Sequence, residues 1–98
     1  MESTRQKKVS RLIQKELSVI FQTLVSELLG NVMTSVTIVR VSPDLANANI
    51  FISIFPVKNP KESLKVIKNN QSIIRKKLGE QVRNQLRIVP DLQFFLDD

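Results

Sequence analysis

The sequence has no cysteine and no histidine. Without cysteine there is no disulfide and no thiolate for a metal, and without histidine the commonest acid–base group and metal ligand at neutral pH is missing. The acidic residues are scattered, and no nucleophile stands in a readable pairing with a base. These absences argue against an enzyme, a metal centre, a cofactor and a small-molecule substrate. No apolar run approaches the roughly 20 residues of a membrane span. The opening Met1-Glu2-Ser3-Thr4-Arg5 has no apolar stretch behind its charges, so no leader is read and the expected compartment is the cytoplasm. Repeats, low-complexity tracts and internal linkers are missing as well. The 98 residues are therefore read as one domain, 1–98, with a modest core and no room for a sizeable enclosed active site.

What the chain does have is positive charge. Fifteen Lys and Arg against nine Asp and Glu give a net charge of +6, a balance that favours a polyanionic partner such as nucleic acid or an acidic membrane surface. The charge is also concentrated, since the segment from Lys65 to Arg87 holds a single acid, Glu80.

The organising stretch is 36–55, where two runs of β-branched and aromatic residues flank Ser42-Pro43-Asp44. It reads as two antiparallel strands joined by a loop. In the second strand Ile50, Ile52 and Ile54 share one face, the expected core face, and Asn49, Phe51, Ser53 and Phe55 the other. The first strand alternates less cleanly, which suggests a strand covered on both faces or lying centrally, with Arg40 turned to solvent. Upstream, Ser3-Thr4-Arg5-Gln6 is a capping-box pattern that opens a long helix. Val9, Leu12, Ile13, Leu17, Ile20, Phe21, Leu24 and Leu28 give it one apolar face, and Gly30-Asn31 a stop.

Downstream, Asn59 suits a helix cap, Pro60 the first helical position, and Glu62 the third, completing a second box. Leu64 and Ile67 form an apolar edge before Asn69-Asn70-Gln71-Ser72 interrupts. The expectation there is a kink with no left-handed residue at Ser72, and with Asn70 or Ser72 capping the next helix through its side chain. Helical spacing resumes through Ile74, Leu78 and Val82. Residues 86–95 read as a third extended run, made an edge strand or bulged by Pro90. The class is α+β, in the order α-β-β-α-(kink)-α-β. A three-stranded mixed sheet carries its helices on one face and leaves the other largely open, where Phe51 and Phe55 are read as packing residues rather than base platforms.

Lys7, Arg11 and Lys15 follow at i, i+4 and i+8 on the polar side of the long helix, with Arg5 and Lys8 beside them. Cations near a helix N-terminus oppose the macrodipole by roughly a few tenths of a kcal/mol each. Helix stability therefore does not favour them there, and a binding role does. A second basic set is Lys68, Arg75, Lys76, Lys77 and Arg83. With Asn70 and Ser72 at the kink, these are the candidate RNA-binding residues, the cations acting on phosphates, which position a protein without reading sequence.

Together with the element order, Val-Ser-Pro-Asp-Leu-Ala-Asn-Ala (41–48) running into Ile-Phe-Ile-Ser-Ile, Ile-Ile-Arg (73–75) and Leu-Arg-Ile-Val-Pro-Asp-Leu-Gln-Phe (86–94) resemble the ribosome-binding factor A family over nearly the whole chain. The resemblance implies a KH type II-like domain whose third strand lies beside and parallel to the first. It also implies a non-enzymatic factor that associates with the free small (30S) ribosomal subunit and promotes late maturation and end-processing of 16S rRNA, especially in the cold. Where the family has an Ala-x-Gly kink this chain has Asn70-Gln71-Ser72, and the Gly-x-x-Gly of RNA-clamping KH domains is absent too, which argues against sequence readout by a KH groove.

Two other readings compete. A DNA-binding helix-turn-helix built from 60–85 gives the long basic helix and the open sheet no role. A membrane-surface helix at 4–29 needs the aliphatic face that must cover the sheet. The expected partners are thus the small subunit and 16S rRNA, with no membrane, and the chain acting as a monomer.

Overall fold

In the computed structural model, which describes residues 2–30, 32–55 and 59–97, the chain runs α1 (Thr4–Leu29), β1 (Met33–Val41), β2 (Asn47–Phe55), α2 (Pro60–Asn69), α3 (Gln71–Val82) and β3 (Asp91–Leu96). The α+β class and the element order are as expected. Ser3 Oγ accepts from the Gln6 amide at 3.1 Å and Gln6 Oε1 accepts from the Ser3 amide at 2.7 Å, so the capping box that starts α1 is complete. The helix stops at Gly30, whose φ of 79° favours glycine and whose N–H donates to Ser26 O. Asn31, the other half of the expected stop, lies outside the described residues. Along α1, Val9, Ile13, Leu17, Ile20, Phe21, Leu24 and Val25 are buried; Leu28, expected among them, is exposed. Among the described residues no helix is long and apolar enough to cross a membrane.

The strands run in the spatial order β1-β2-β3. β1 pairs antiparallel with β2 from Met33↔Phe55 to Val41↔Ala48, and the register shifts between Val36 and Ile38. Thr37 is the extra residue of this bulge. That explains the imperfect alternation: Val36, Val39 and Val41 point into the core, while Ile38 and Arg40 point out. β1 is accordingly an edge strand and not a central one.

β3 pairs parallel with β2, from Asn47↔Asp91 to Ile52↔Leu96, and not with β1. The outer edge of β1 is already occupied. Gln6 Nε2 donates to Val41 O at 2.8 Å, the Val41 amide donates to Glu2 Oε2 at 3.3 Å, and Gln14 Nε2 donates to Val36 O and Thr37 O at 3.1 and 3.3 Å. An edge whose free groups are bonded to a helix does not accept another strand. β3 therefore takes the free edge of β2, and the α2–α3 crossover makes the pair parallel. The strand begins only after Pro90, which has no N–H to donate. Residues 86–90 are irregular, with Pro90 buried and Leu86 and Val89 packed against the core.

Asn59 accepts from the Glu62 amide at 3.3 Å and Pro60 sits in the first turn, so α2 starts as expected, though no return bond from Glu62 occurs among the described residues. Ile67, Ile74, Leu78 and Val82 are fully buried. They meet the inner side of the sheet, where Ile50, Ile52, Leu92 and Phe94 are sealed from solvent and Phe21 approaches Phe94 at 6.0 Å between ring centres. All helices lie on this face.

The other face is open. Ile38, Phe51 and Phe95 form one row across the three strands, with Phe51 stacked on Phe95 at 5.3 Å. Phe51 is half-buried by that row, and Phe55 is exposed.

The two faces differ in what a truncation costs. Ile52→Ala is expected to lose about 2–5 kcal/mol of stability through lost burial and a cavity. Ile38→Ala, on the outer face, should lose under about 1 kcal/mol. Denaturant unfolding measures both, and equal losses would show that the faces are misassigned.

Candidate nucleic-acid interface

Anchoring one side of α1 to β1 fixes what the other side presents. Arg5, Lys7, Lys8, Arg11 and Lys15 are all exposed, and the first turn of α1 holds no acid. Among the described residues Arg75 is the one cation within ion-pair distance of a carboxylate, at 3.5 Å from Asp91 Oδ1. The row on α1 therefore carries charge that no side chain neutralises at contact range. At physiological salt such a field decays over about 8 Å, so it acts on a partner that touches the helix.

Of the second basic set, Lys68 at the end of α2 and Lys76, Lys77 and Arg83 on or beside α3 are exposed. Arg75 differs. Its Nη2 donates to Val89 O at 2.7 Å and its Nε to Pro90 O at 3.2 Å. The guanidinium ties the irregular segment to α3 just where β3 begins, so Arg75 positions the chain and its charge is partly committed.

The kink falls at Asn70, but the side chain does not cap α3. Asn70 Nδ2 donates to Val66 O at 2.8 Å, and its amide donates to Ile67 O at 3.1 Å. A single residue separates the two helices; its side chain serves one end, and the unpaired carbonyls closing α2 take it. Ser72 is exposed, with no left-handed backbone, as expected: among the described non-glycine residues Leu45 alone has a positive φ. Ser72, Arg75 and Lys76 are brought together with Gly79 and Val89 in a shallow groove of about 580 Å³ between α3 and the segment preceding β3. Asn70, Lys77, Arg83 and the α1 row lie outside that groove.

The β1–β2 loop is internally hydrogen-bonded. Ser42 Oγ donates to Asp44 Oδ1 at 2.6 Å, the Ala46 amide donates to the same oxygen at 3.0 Å, and the Leu45 amide donates to Ser42 O at 2.9 Å. The Ser42 hydroxyl first, and then the Ala46 amide, hold the Asp44 carboxyl below its ordinary range.

Sequence reasoning passed over three functional contributors. Gln6 and Gln14 clamp β1, and their signal was a polar side chain beside the apolar stripe of Val9, Ile13 and Leu17. Arg87 was counted in the basic segment but not assigned; it is exposed and lines a cleft with Arg5 and Lys8.

Comparison with known proteins places this geometry. Residues 5–98 match the family described as Ribosome-binding factor A. Ribosome-binding factor A of Cytophaga hutchinsonii is 48% identical over 98 residues, spanning 100% of this chain and 74% of the relative. The crystal structure of ribosome-binding factor A from Thermus thermophilus superposes with a TM-score of 0.75 at 19% identity, covering 93% of this chain and 94% of that one. A homology model of the Thermus thermophilus ribosome binding factor A, fitted into the cryo-EM map of a 30S complex, superposes with a TM-score of 0.66 at 20% identity, over 97% of this chain and 93% of that one.

The geometry at the kink separates its two polar residues. Asn70→Ala should cost about 1 kcal/mol by removing the side-chain hydrogen bond that closes α2, whereas Ser72→Ala should stay within about 0.5 kcal/mol. Thermal or urea unfolding reads both; a neutral Asn70→Ala would remove the capping role.

Proposed function

The chain belongs to the ribosome-binding factor A family, and on that premise we propose that it is a non-enzymatic assembly factor that binds the free small (30S) ribosomal subunit through 16S rRNA. In this reading residues 1–98 act as one KH-like RNA-binding domain, a monomer in the cytoplasm, and assist late subunit maturation and 16S rRNA end-processing, with the demand greatest in the cold.

The observation that carries the reading is the exposed row Lys7, Arg11 and Lys15 on a helix whose other side is locked to the sheet. A row of cations fixed on a rigid rod meets the phosphates of a folded RNA without reordering, and the release of condensed counterions drives the contact. Such contacts do not read bases, so specificity comes from the shape of the immature subunit. Lys68, Lys76, Lys77 and Arg83 add a second phosphate-binding surface, with Ser72 and Asn70 near its edge. The helix-turn-helix alternative fits poorly, because one residue joins α2 to α3 where that motif has a turn of about three to four.

Co-sedimentation with purified small and large subunits tests the reading. The protein should pellet with small subunits. The triple variant Lys7→Glu, Arg11→Glu and Lys15→Glu should unfold as cooperatively as the parent yet lose most of that binding at moderate salt. Binding unchanged by the reversal would discard the α1 row as the contact surface.

A further inference from the structure

A cleft of about 420 Å³ opens between the first turns of α1, the β1–β2 loop and the segment before β3. Its volume lies in the range of about 300–1,000 Å³ typical of small-ligand sites. The buried and half-buried walls are apolar, with Leu12, Leu45, Leu86 and Pro90 among them, while the exposed members include four charged residues: Arg5 and Lys8 on α1, Asp44 in the loop and Arg87 before β3. The β1–β2 loop shapes one wall. Leu45 has a φ of 62°, a left-handed backbone that costs a side-chain-bearing residue about 1–2 kcal/mol. The bonded loop keeps it there, with its side chain on the wall of the cleft. Ile88, in the segment before β3, lines the same cleft and stands 70% exposed, apolar surface that the fold leaves uncovered.

An apolar slot between cations fits a ligand that is flat and apolar in its middle and anionic at its ends. We propose that the cleft takes one unpaired nucleotide of an RNA strand, the base between Leu45 and Ile88 and the flanking phosphates on Arg5, Lys8 and Arg87. A base in a duplex has both faces stacked and cannot enter, so the site selects single-stranded positions. Asp44 adds selectivity. Its two loop bonds fall on Oδ1, so Oδ2 is the oxygen that carries no loop bond and is the acceptor assigned to the ligand. A carboxylate oxygen accepts from the amino group of cytosine or adenine, and repels the O4 acceptor that uracil presents at the same place. The proposal rests on the RNA-binding reading above and adds a second, base-sized contact away from the α3 groove.

Amide-resolved NMR titration of the full chain tests it, with a cytidine hexanucleotide, a uridine hexanucleotide and a short RNA duplex as probes. Saturable shifts at Leu45, Ala46, Arg87 and Ile88 are expected with the cytidine strand, and roughly threefold to tenfold weaker binding with the uridine strand and in an Ile88→Ser variant of unchanged melting temperature. Shifts confined to Lys7, Arg11 and Lys15 or to the α3 groove would overturn the proposal. So would an equal response to the duplex, or to a glutamate peptide of matching charge. Subunit co-sedimentation keeps the two readings apart. A silent cleft with sedimentation retained sinks the cleft alone; cleft shifts with sedimentation lost support the cleft and sink the small-subunit reading.

Discussion

Everything in this fold depends on how α1 covers the outer edge of β1. A strand edge presents N–H and C=O groups, and one left buried and unpaired costs about 1–3 kcal/mol. Glu2, Gln6 and Gln14 satisfy the groups of Val36, Thr37 and Val41, and among the described residues no buried side-chain nitrogen or oxygen lacks a partner. The consequences run outward from that seam. With this edge taken, β3 must use the free edge of β2. The bulge at Thr37 is pinned, because Gln14 bonds the carbonyls on both sides of the shift. The rotation of α1 about its own axis is fixed as well, since turning it by one residue, about 100°, would bring charged residues over the core and break the bonds.

That fixed rotation links stability to the proposed binding. Ile13 and Leu17 are buried on one side of α1, so Lys7, Arg11 and Lys15 stand out on the other. Lys7 lies about one turn into α1, next to the end where a cation is least favoured, and no carboxylate among the described residues pairs with any of the three. Arg75 shows the contrasting use of a cation: two of its donors close the segment before β3 against α3. Equal charge in sequence thus divides into cations that shape the chain and cations that face outward.

The parts of this structure set by local rules were legible in the sequence. Ser3 and Gln6 cap α1 because the spacing brings each to the other's amide, and the alternation of Ile50, Ile52 and Ile54 marks the core face of β2 without reference to any other element. The parts set by competition between distant groups were not. One extra residue at Thr37 inverts the alternation downstream of it, which made an edge strand look central. Asn70 stands between two helix ends with one side chain, and nothing local says which end it serves. The partner of β3 depends on which sheet edge is still free, and that is decided by Gln6 and Gln14, far away in the chain. At the candidate site the outward row on α1 was visible from its spacing. The committed state of Arg75 and the meeting of Arg87 with Arg5 and Lys8 were not, since both depend on the path of an irregular segment.

If outward cations hold the RNA while pinned ones hold the fold, the two kinds must respond differently to salt. The salt dependence of affinity for purified small subunits tests this most directly, measured for the parent and for the single variants Lys7→Ala and Arg75→Ala. Each phosphate that is no longer neutralised should make the slope of log affinity against log salt shallower by about one. The predicted result is a slope shallower by about one for Lys7→Ala and unchanged for Arg75→Ala. An unchanged slope for Lys7→Ala with a shallower one for Arg75→Ala would contradict the division of roles.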